Sequence, residues 1–331
     1  MNTSSPKDRS RLILDARRSA YDKLITPPLL AAAVLFGFTL MLSNAAAVAQ
    51  GIDFCQRTAH DALRSCRNGA ESNYQLALGK CDNIADTEQR KACQQQASAD
   101  AKDARQTCLD QNDARLAVCD RLGGAAYDPV INPDNFVATV DNPYFPLTPG
   151  TTFIYETPDG SEHDEFFVTS NTKEILGVTC IEVHDTVKEN GQLTEDTLDW
   201  FAQDKDGNVW YFGENSKQLE DGLIVGLQGS WTAGVDGAKP GIIMEAHPQV
   251  GDLYRQEFSL TVAEDIGEVL SLTASVTVPV GSFTNCLETK DTSTLEPDVE
   301  EHKFYALGVG NVLETNPATG ERLELVQIKT P

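Results

Sequence analysis

Positive charge is what this chain has least of: 26 Lys and Arg stand against 50 Asp and Glu, a net charge of −24. A surface of that sign repels phosphate backbones and anionic headgroups, which argues against nucleic acid and an anionic membrane surface as partners. Close metal-ligand spacings are missing too. The eight cysteines and five histidines form no C-x2-C, H-x-H or H-x3-H pair, so a structural zinc site has nothing to start from. No G-x-S-x-G occurs, and Ser230 sits in Gly229-Ser230-Trp231 with no partner histidine placed by the sequence, so no hydrolase nucleophile and no catalytic residue is assigned. Long apolar runs are limited to Leu29 to Leu42.

That run follows a basic region with Lys7, Arg9, Arg11, Arg17, Arg18 and Lys23, and precedes Ala45-Ala46-Ala47-Val48-Ala49. Basic stretch, short apolar stretch and small residues are the grammar of an export signal, residues 1–49, cleaved near Ala49. Ser43-Asn44 breaks the run before it reaches the roughly 20 residues of a spanning helix. Retention as an anchor is the alternative. Either way the mature part is expected outside the cytosol, periplasmic or extracellular.

Six cysteines are arranged as a mirror image: Cys55, Cys66, Cys81, Cys93, Cys108 and Cys119. Two antiparallel helices turning near Thr87 would bring Cys81 to Cys93, Cys66 to Cys108 and Cys55 to Cys119, three nested disulfides. The segment between them has no proline and only Gly69 and Gly79, and is rich in Ala, Gln, Arg and Lys. Long helices are the natural reading, with Asp86 capping the second and Gln89 at the capping-box position. Its apolar inventory is thin, so covalent staples stand in for a core. This predicts an α-hairpin over 50–122, acting as a spacer or as a docking arm for a protein partner.

The charge is unevenly placed. Residues 50–122 carry ten basic and eleven acidic side chains, and the remainder to 331 carries ten and thirty-six. After a linker at 123–135, the texture over 136–331 becomes short alternating segments punctuated by Gly, Pro, Asn and Asp, which is strand grammar. Glu268 to Val278 alternates cleanly, with Leu270, Leu272, Ala274, Val276 and Val278 on one face. Leu253 to Leu260 reads as one strand and Gly222 to Val250 as a long glycine-rich loop, either a lid or a sheet-covering insertion. About ten strands without helical pattern between them suggest a single antiparallel sheet, strongly curved or closed. The fold class is α+β.

Asn142-Pro143-Tyr144-Phe145-Pro146-Leu147-Thr148-Pro149-Gly150-Thr151, Val278-Pro279-Val280-Gly281-Ser282-Phe283 and Tyr305-Ala306-Leu307-Gly308-Val309-Gly310 resemble a group of uncharacterised exported bacterial proteins. They are also similar to periplasmic half-barrels of the lipoprotein-carrier and TapB-like type. The resemblance covers roughly 140–328, with Leu307 departing from the proline usual there. It implies a half-barrel whose concave apolar face shelters a lipid or other hydrophobic or amphipathic small molecule. Trp200, Trp210, Phe212, Trp231, Met244 and Tyr305 are the candidate ligand contacts.

Two cysteines remain. Cys180 and Cys286 each fall in an expected strand, and an oxidising compartment predicts a bond between them. Such a bond would gather Glu182 and His184 with Glu288, and His302 from a neighbouring strand, as a possible divalent-metal site. No cofactor is otherwise expected. Asp204-Lys205-Asp206-Gly207-Asn208 begins like a calcium loop but lacks the glutamate at the twelfth position, and reads as a hairpin turn. A structural or interaction protein with a filled β core is the competing overall reading, and a metal-dependent enzyme built on His184 and His302 the second.

Overall fold

A computed structural model describes residues 53–331; the expected signal at 1–49 lies outside them. Helix α1 spans Phe54–Asp82 and α2 spans Thr87–Leu122, antiparallel about a four-residue break. Asp53 accepts a hydrogen bond from the Gln56 amide, and Asp86 one from the Gln89 amide, so each N-terminus is capped by a short carboxylate. The nested pairing is present: Cys55–Cys119, Cys66–Cys108 and Cys81–Cys93, with Cα separations of 5.6, 5.7 and 5.5 Å. Ala59, Ala62, Ala70, Ala97 and Ala101 are the buried alanines between the helices. Alanines let the backbones approach but bury little area, which leaves the staples to hold the pair. Three disulfides belong to a protein folded in an oxidising compartment. No described helix is long and apolar enough to cross a membrane.

The remainder is β structure. The strands are β1 (Phe136–Val137), β2 (Thr152–Glu156), β3 (Glu162–Ile175), β4 (Val178–Glu189), β5 (Gln192–Asp204), β6 (Val209–Glu220), β7 (Leu223–Gly226) and β8 (Trp231–Thr232), followed by β9 (Lys239–Met244), β10 (Leu253–Arg255), β11 (Glu257–Phe258), β12 (Asp265–Val278), β13 (Gly281–Ser293), β14 (Glu300–Ala306), β15 (Gly310–Thr315) and β16 (Arg322–Lys329). Their order in the sheet is β10-β12-β13-β14-β15-β16-β2-β3-β4-β5-β6-β9-β11, and every pairing is antiparallel.

The two ends of that list are consecutive in the chain. Instead of the single strand read over Leu253 to Leu260, β10 pairs with β12 at one end, and one residue later β11 pairs with β9 at the other. Leu253–Phe258 thus bridges the gap and makes the sheet a nearly closed, barrel-like half-barrel. Gly241 of β9 is where this seam needs glycine: a Cβ there would lie 2.4 Å from the Arg255 carbonyl oxygen. The segment read as a long loop holds β7, β8 and β9, because β6 carries partners for all three along its length.

Two apolar clusters occupy opposite faces of the sheet. The inner one includes Phe153, Val168, Val183, Phe201, Val209, Met244, Leu287 and Leu325. The other collects Ile175, Val178, Cys180, Trp200, Phe212 and Trp231, with Ile131 and Phe136 laid over it. The hairpin sits on the β domain through an ion pair between Arg115 and Glu264, a second from Arg121 to Glu268, and a hydrogen bond from Gln111 Nε2 to the Leu295 carbonyl.

Candidate functional site

Inside the half-barrel lies a cavity of about 270 Å³. Alternation builds its wall. In β3, β4 and β5 the pairs Asp164/Phe166, Val183/Asp185 and Asp199/Phe201 each stand two residues apart, so an acid shares its face with an inward apolar neighbour. Phe145, Phe153, Phe166, Phe201 and the rings of Tyr155, Tyr211 and Tyr305 give the cavity aromatic surfaces. Between them stand seven carboxyl side chains, Asp164, Asp185, Asp199, Glu214, Glu257, Asp265 and Glu314, and a single ammonium, Lys303. The interior is therefore more acidic than the apolar concavity that the resemblance implied.

These carboxyls are not ordinary surface acids. Asp199 is 7% exposed and accepts a 2.5 Å hydrogen bond from the Tyr211 hydroxyl. Burial, followed by repulsion from Asp185, pushes its pKa up to about 8. Burial and then the charge of Asp199 lift Glu214 to about 9. Asp185 is raised well above the usual range by burial and by Asp164, and Asp164 by burial and, after it, by Glu314. Glu257, 6% exposed and holding the Trp231 indole N–H at 2.6 Å, is raised by burial and by Asp265. Lys303 is held charged by Glu314, Asp291 and Glu301. The Asp164 and Asp185 carboxyls hydrogen-bond each other and their buried Oδ1 atoms take no other donor, while Oδ1 of Asn311 is buried with no partner.

A second space of about 640 Å³ shares Glu214, Gln256, Glu257, Asp265 and Lys303 with the first and extends past Asp291, Glu296 and Glu301. The inner cavity thus continues into a wider acidic vestibule. The opposite end is plugged by the Asn142 to Thr151 motif. Asn142 donates from Nδ2 to the carbonyls of Gly207 and Glu245, and Phe145, Pro146 and Leu147 line the cavity floor. The Gly308 amide donates to the Pro143 carbonyl, so two of the three motifs that carry the resemblance meet at this plug.

Of the six residues expected to touch a ligand, Tyr305 alone lines the inner cavity. Met244 is fully buried beside it in the inner cluster. Trp200, Phe212 and Trp231 belong to the cluster on the other face, and Trp210 packs against that cluster while donating Nε1 to Asp204. An isolated Asp in a strand reads as solvent-facing; for Asp164, Asp185 and Asp199 the i, i+2 pairing with Phe166, Val183 and Phe201 is the signal that points inward, and it does not extend to Glu214, whose neighbour Phe212 lies in the outer cluster.

The expected Cys180–Cys286 bond is corrected. Both thiols are free and buried, Cys180 in the outer cluster and Cys286 in the inner one, on β4 and β13, six strands apart in sheet order. The proposed metal ligands are separated with them. Glu182 accepts from Asn171 and Trp200, His184 stands 3.5 Å from Asp196, and Glu288 pairs with His302 at 3.0 Å. Among the described residues no group of three or more His, Cys, Asp or Glu is placed to hold a metal ion. In the loop that began like a calcium site, Asp204 accepts from the Asn208 amide and side chain, which is a hairpin turn.

No family model matches the chain, and no curated protein matches it. Among solved structures it is similar to one described as a "putative lipoprotein" from Parabacteroides distasonis, at 12% identity over 56% of this chain and 98% of that one, with a TM-score of 0.27. A superposition that loose transfers neither topology nor ligand.

Proposed function

We propose that this is an exported, non-catalytic binding protein whose half-barrel holds a hydrophobic or amphipathic small molecule, with the stapled hairpin as a spacer or docking arm. The observation that carries this reading is the interior cavity of about 270 Å³ with its aromatic walls and wider vestibule. A binding pocket is typically concave and mostly apolar, with a few placed polar groups. A filled β core, the competing reading, would leave no such space. No histidine, cysteine or serine lines the inner cavity, so its lining supplies no Ser–His or Cys–His pair. The hairpin arm rises from the contacts at Gln111, Arg115 and Arg121, and some 25 residues of α2 extend from Gln111 back to the turn, about 37 Å of rod.

The test is native mass spectrometry of protein exported by its host and purified without detergent. The expected result is an added small-molecule mass that leaves on denaturation. A bare polypeptide mass in every preparation, with no uptake of added amphiphiles, would overturn the reading.

A further inference from the structure

Charge in the cavity is out of balance, and the imbalance is directional. Seven carboxyl groups face one ammonium, and that ammonium already stands within 3.5 to 3.9 Å of Asp291, Glu301 and Glu314. Buried charges of one sign are costly unless paired. Along the cavity, the Asp164 and Asp185 carboxyls have only each other as hydrogen-bond partners at their buried Oδ1 side, and Oδ1 of Asn311 is buried with no partner. Left to themselves these acids hold protons and share them, as Asp164 and Asp185 do; a donor without acceptors takes the place of such a proton, because an amide oxygen and an ionised carboxylate only accept.

We propose that the ligand of the half-barrel is an organic cation: an ammonium head set among Asp164, Asp185 and Asp199, with an apolar body against Phe153, Phe166 and Phe201. This rests on the binding reading and narrows it. An ammonium is donor-only and gives the Asp164 and Asp185 carboxylates and the Asn311 carbonyl oxygen hydrogen bonds that the cavity's other groups do not. The rings of Tyr155, Tyr211 and Tyr305 offer faces that attract a cation, most strongly where water is excluded. A metal ion would use the same charge, but the carboxyls are spread around the barrel, and among the described residues no three converge on one point. Dispersed acids and aromatic walls suit an extended organic cation better than a point charge. The vestibule, with Glu296, Glu301 and Asp291 along it, draws cations toward the entrance.

Size sets the probe. At about 30 Å³ per water-sized group, 270 Å³ has room for about nine non-hydrogen atoms. n-Octylamine, 1-octanol and octanoate share one chain and differ in head charge. Titration calorimetry of each into the mature full-length protein, near pH 8 and about 0.15 M salt to screen surface attraction, should show octylamine binding at one site at least about tenfold tighter than octanol, and octanoate weakest. In the variant carrying Asp164→Asn and Asp185→Asn, octylamine should fall to within about threefold of octanol while octanol itself is unchanged. Glu288→Gln, an acid outside the cavity, should leave the preference intact.

Octanol binding as tightly as octylamine, or an equal loss of preference with Glu288→Gln, would overturn the cation while leaving the binding reading in place. Failure of all three probes to bind would take down both.

Discussion

Arg115 and Glu264 form a buried, two-pronged ion pair. Nε meets Oε2 and a terminal nitrogen meets Oε1, each at 2.8 Å, with the side chains 6% and 1% exposed. Thr294 and the Thr261 amide donate to the same carboxylate, which lies next in sequence to Asp265 of the cavity wall. The pair therefore ties the hairpin to the rim of the barrel. Although burial opposes it, hydrogen bonding from Arg115 keeps the Glu264 carboxyl below its usual range.

Arg115→Met strands Glu264 as an uncompensated buried charge and should cost about 3–5 kcal/mol in urea denaturation. Arg115→Met with Glu264→Leu should recover most of that loss, since a matched apolar pair replaces a desolvated ionic one. If the double variant is no better than the single, the pair is not the anchor described.

Acid should stabilise the empty protein over a window in which most proteins change little. Asp199 and Glu214 have folded-state values of about 8 and about 9 against ordinary values of 3.8 and 4.5. Between these limits the folded state holds more protons than the unfolded state, so stability falls as pH rises. The contribution is intact below about pH 4 and is lost by about pH 9. Glu268, lowered to about 2 by Arg121, acts the other way only under stronger acid. A melting temperature higher at pH 5 than at pH 8.5 is expected; the opposite slope would refute the interior placement of these acids.

Asp199→Asn keeps an acceptor for Tyr211 and removes the buried charge. Its stabilising effect should be larger at pH 8.5 than at pH 5 by about 4 kcal/mol, read by chemical denaturation at both values.

Cys180 and Cys286 should behave as two protected thiols. Burial pushes the Cys180 thiol up to about 12 and raises that of Cys286. A thiol reagent added without reductant should find none in the folded protein and two in denaturant. Zero in denaturant would mean that they are bonded after all.

Reduction should act on the hairpin first. With alanines in place of a core, loss of the three bridges should remove most of the helical signal at 222 nm, while the tyrosine and tryptophan environment of the barrel persists.

The hairpin was legible from spacing because disulfides impose one-dimensional arithmetic on a helix pair. The long strands were legible from alternation, as in β12. What spacing cannot carry is closure. Nothing local distinguishes Leu253-Tyr254-Arg255 from Glu257-Phe258, yet they pair with opposite ends of the sheet because Gly241 lets the backbone pass. The site was missed for the same reason. Whether Asp185 faces water or a cavity depends on strands far away in sequence, and the tryptophans that looked like ligand contacts face the layer formed by Ile131 and Phe136.

The pairing of β16 with β2 joins Lys329 to Thr152, so a strand formed early in the chain waits about 170 residues for its neighbour. A polypeptide delivered through a membrane from its N-terminus presents the hairpin first, complete in local contacts and ready for oxidation. The sheet, in contrast, stays an open ribbon with β2 as its bare rim until Arg322–Lys329 arrives. Order of emergence thus makes the rod the finished part and the container the unfinished one, and it places any need for an escort on the far side of the membrane, between those two events.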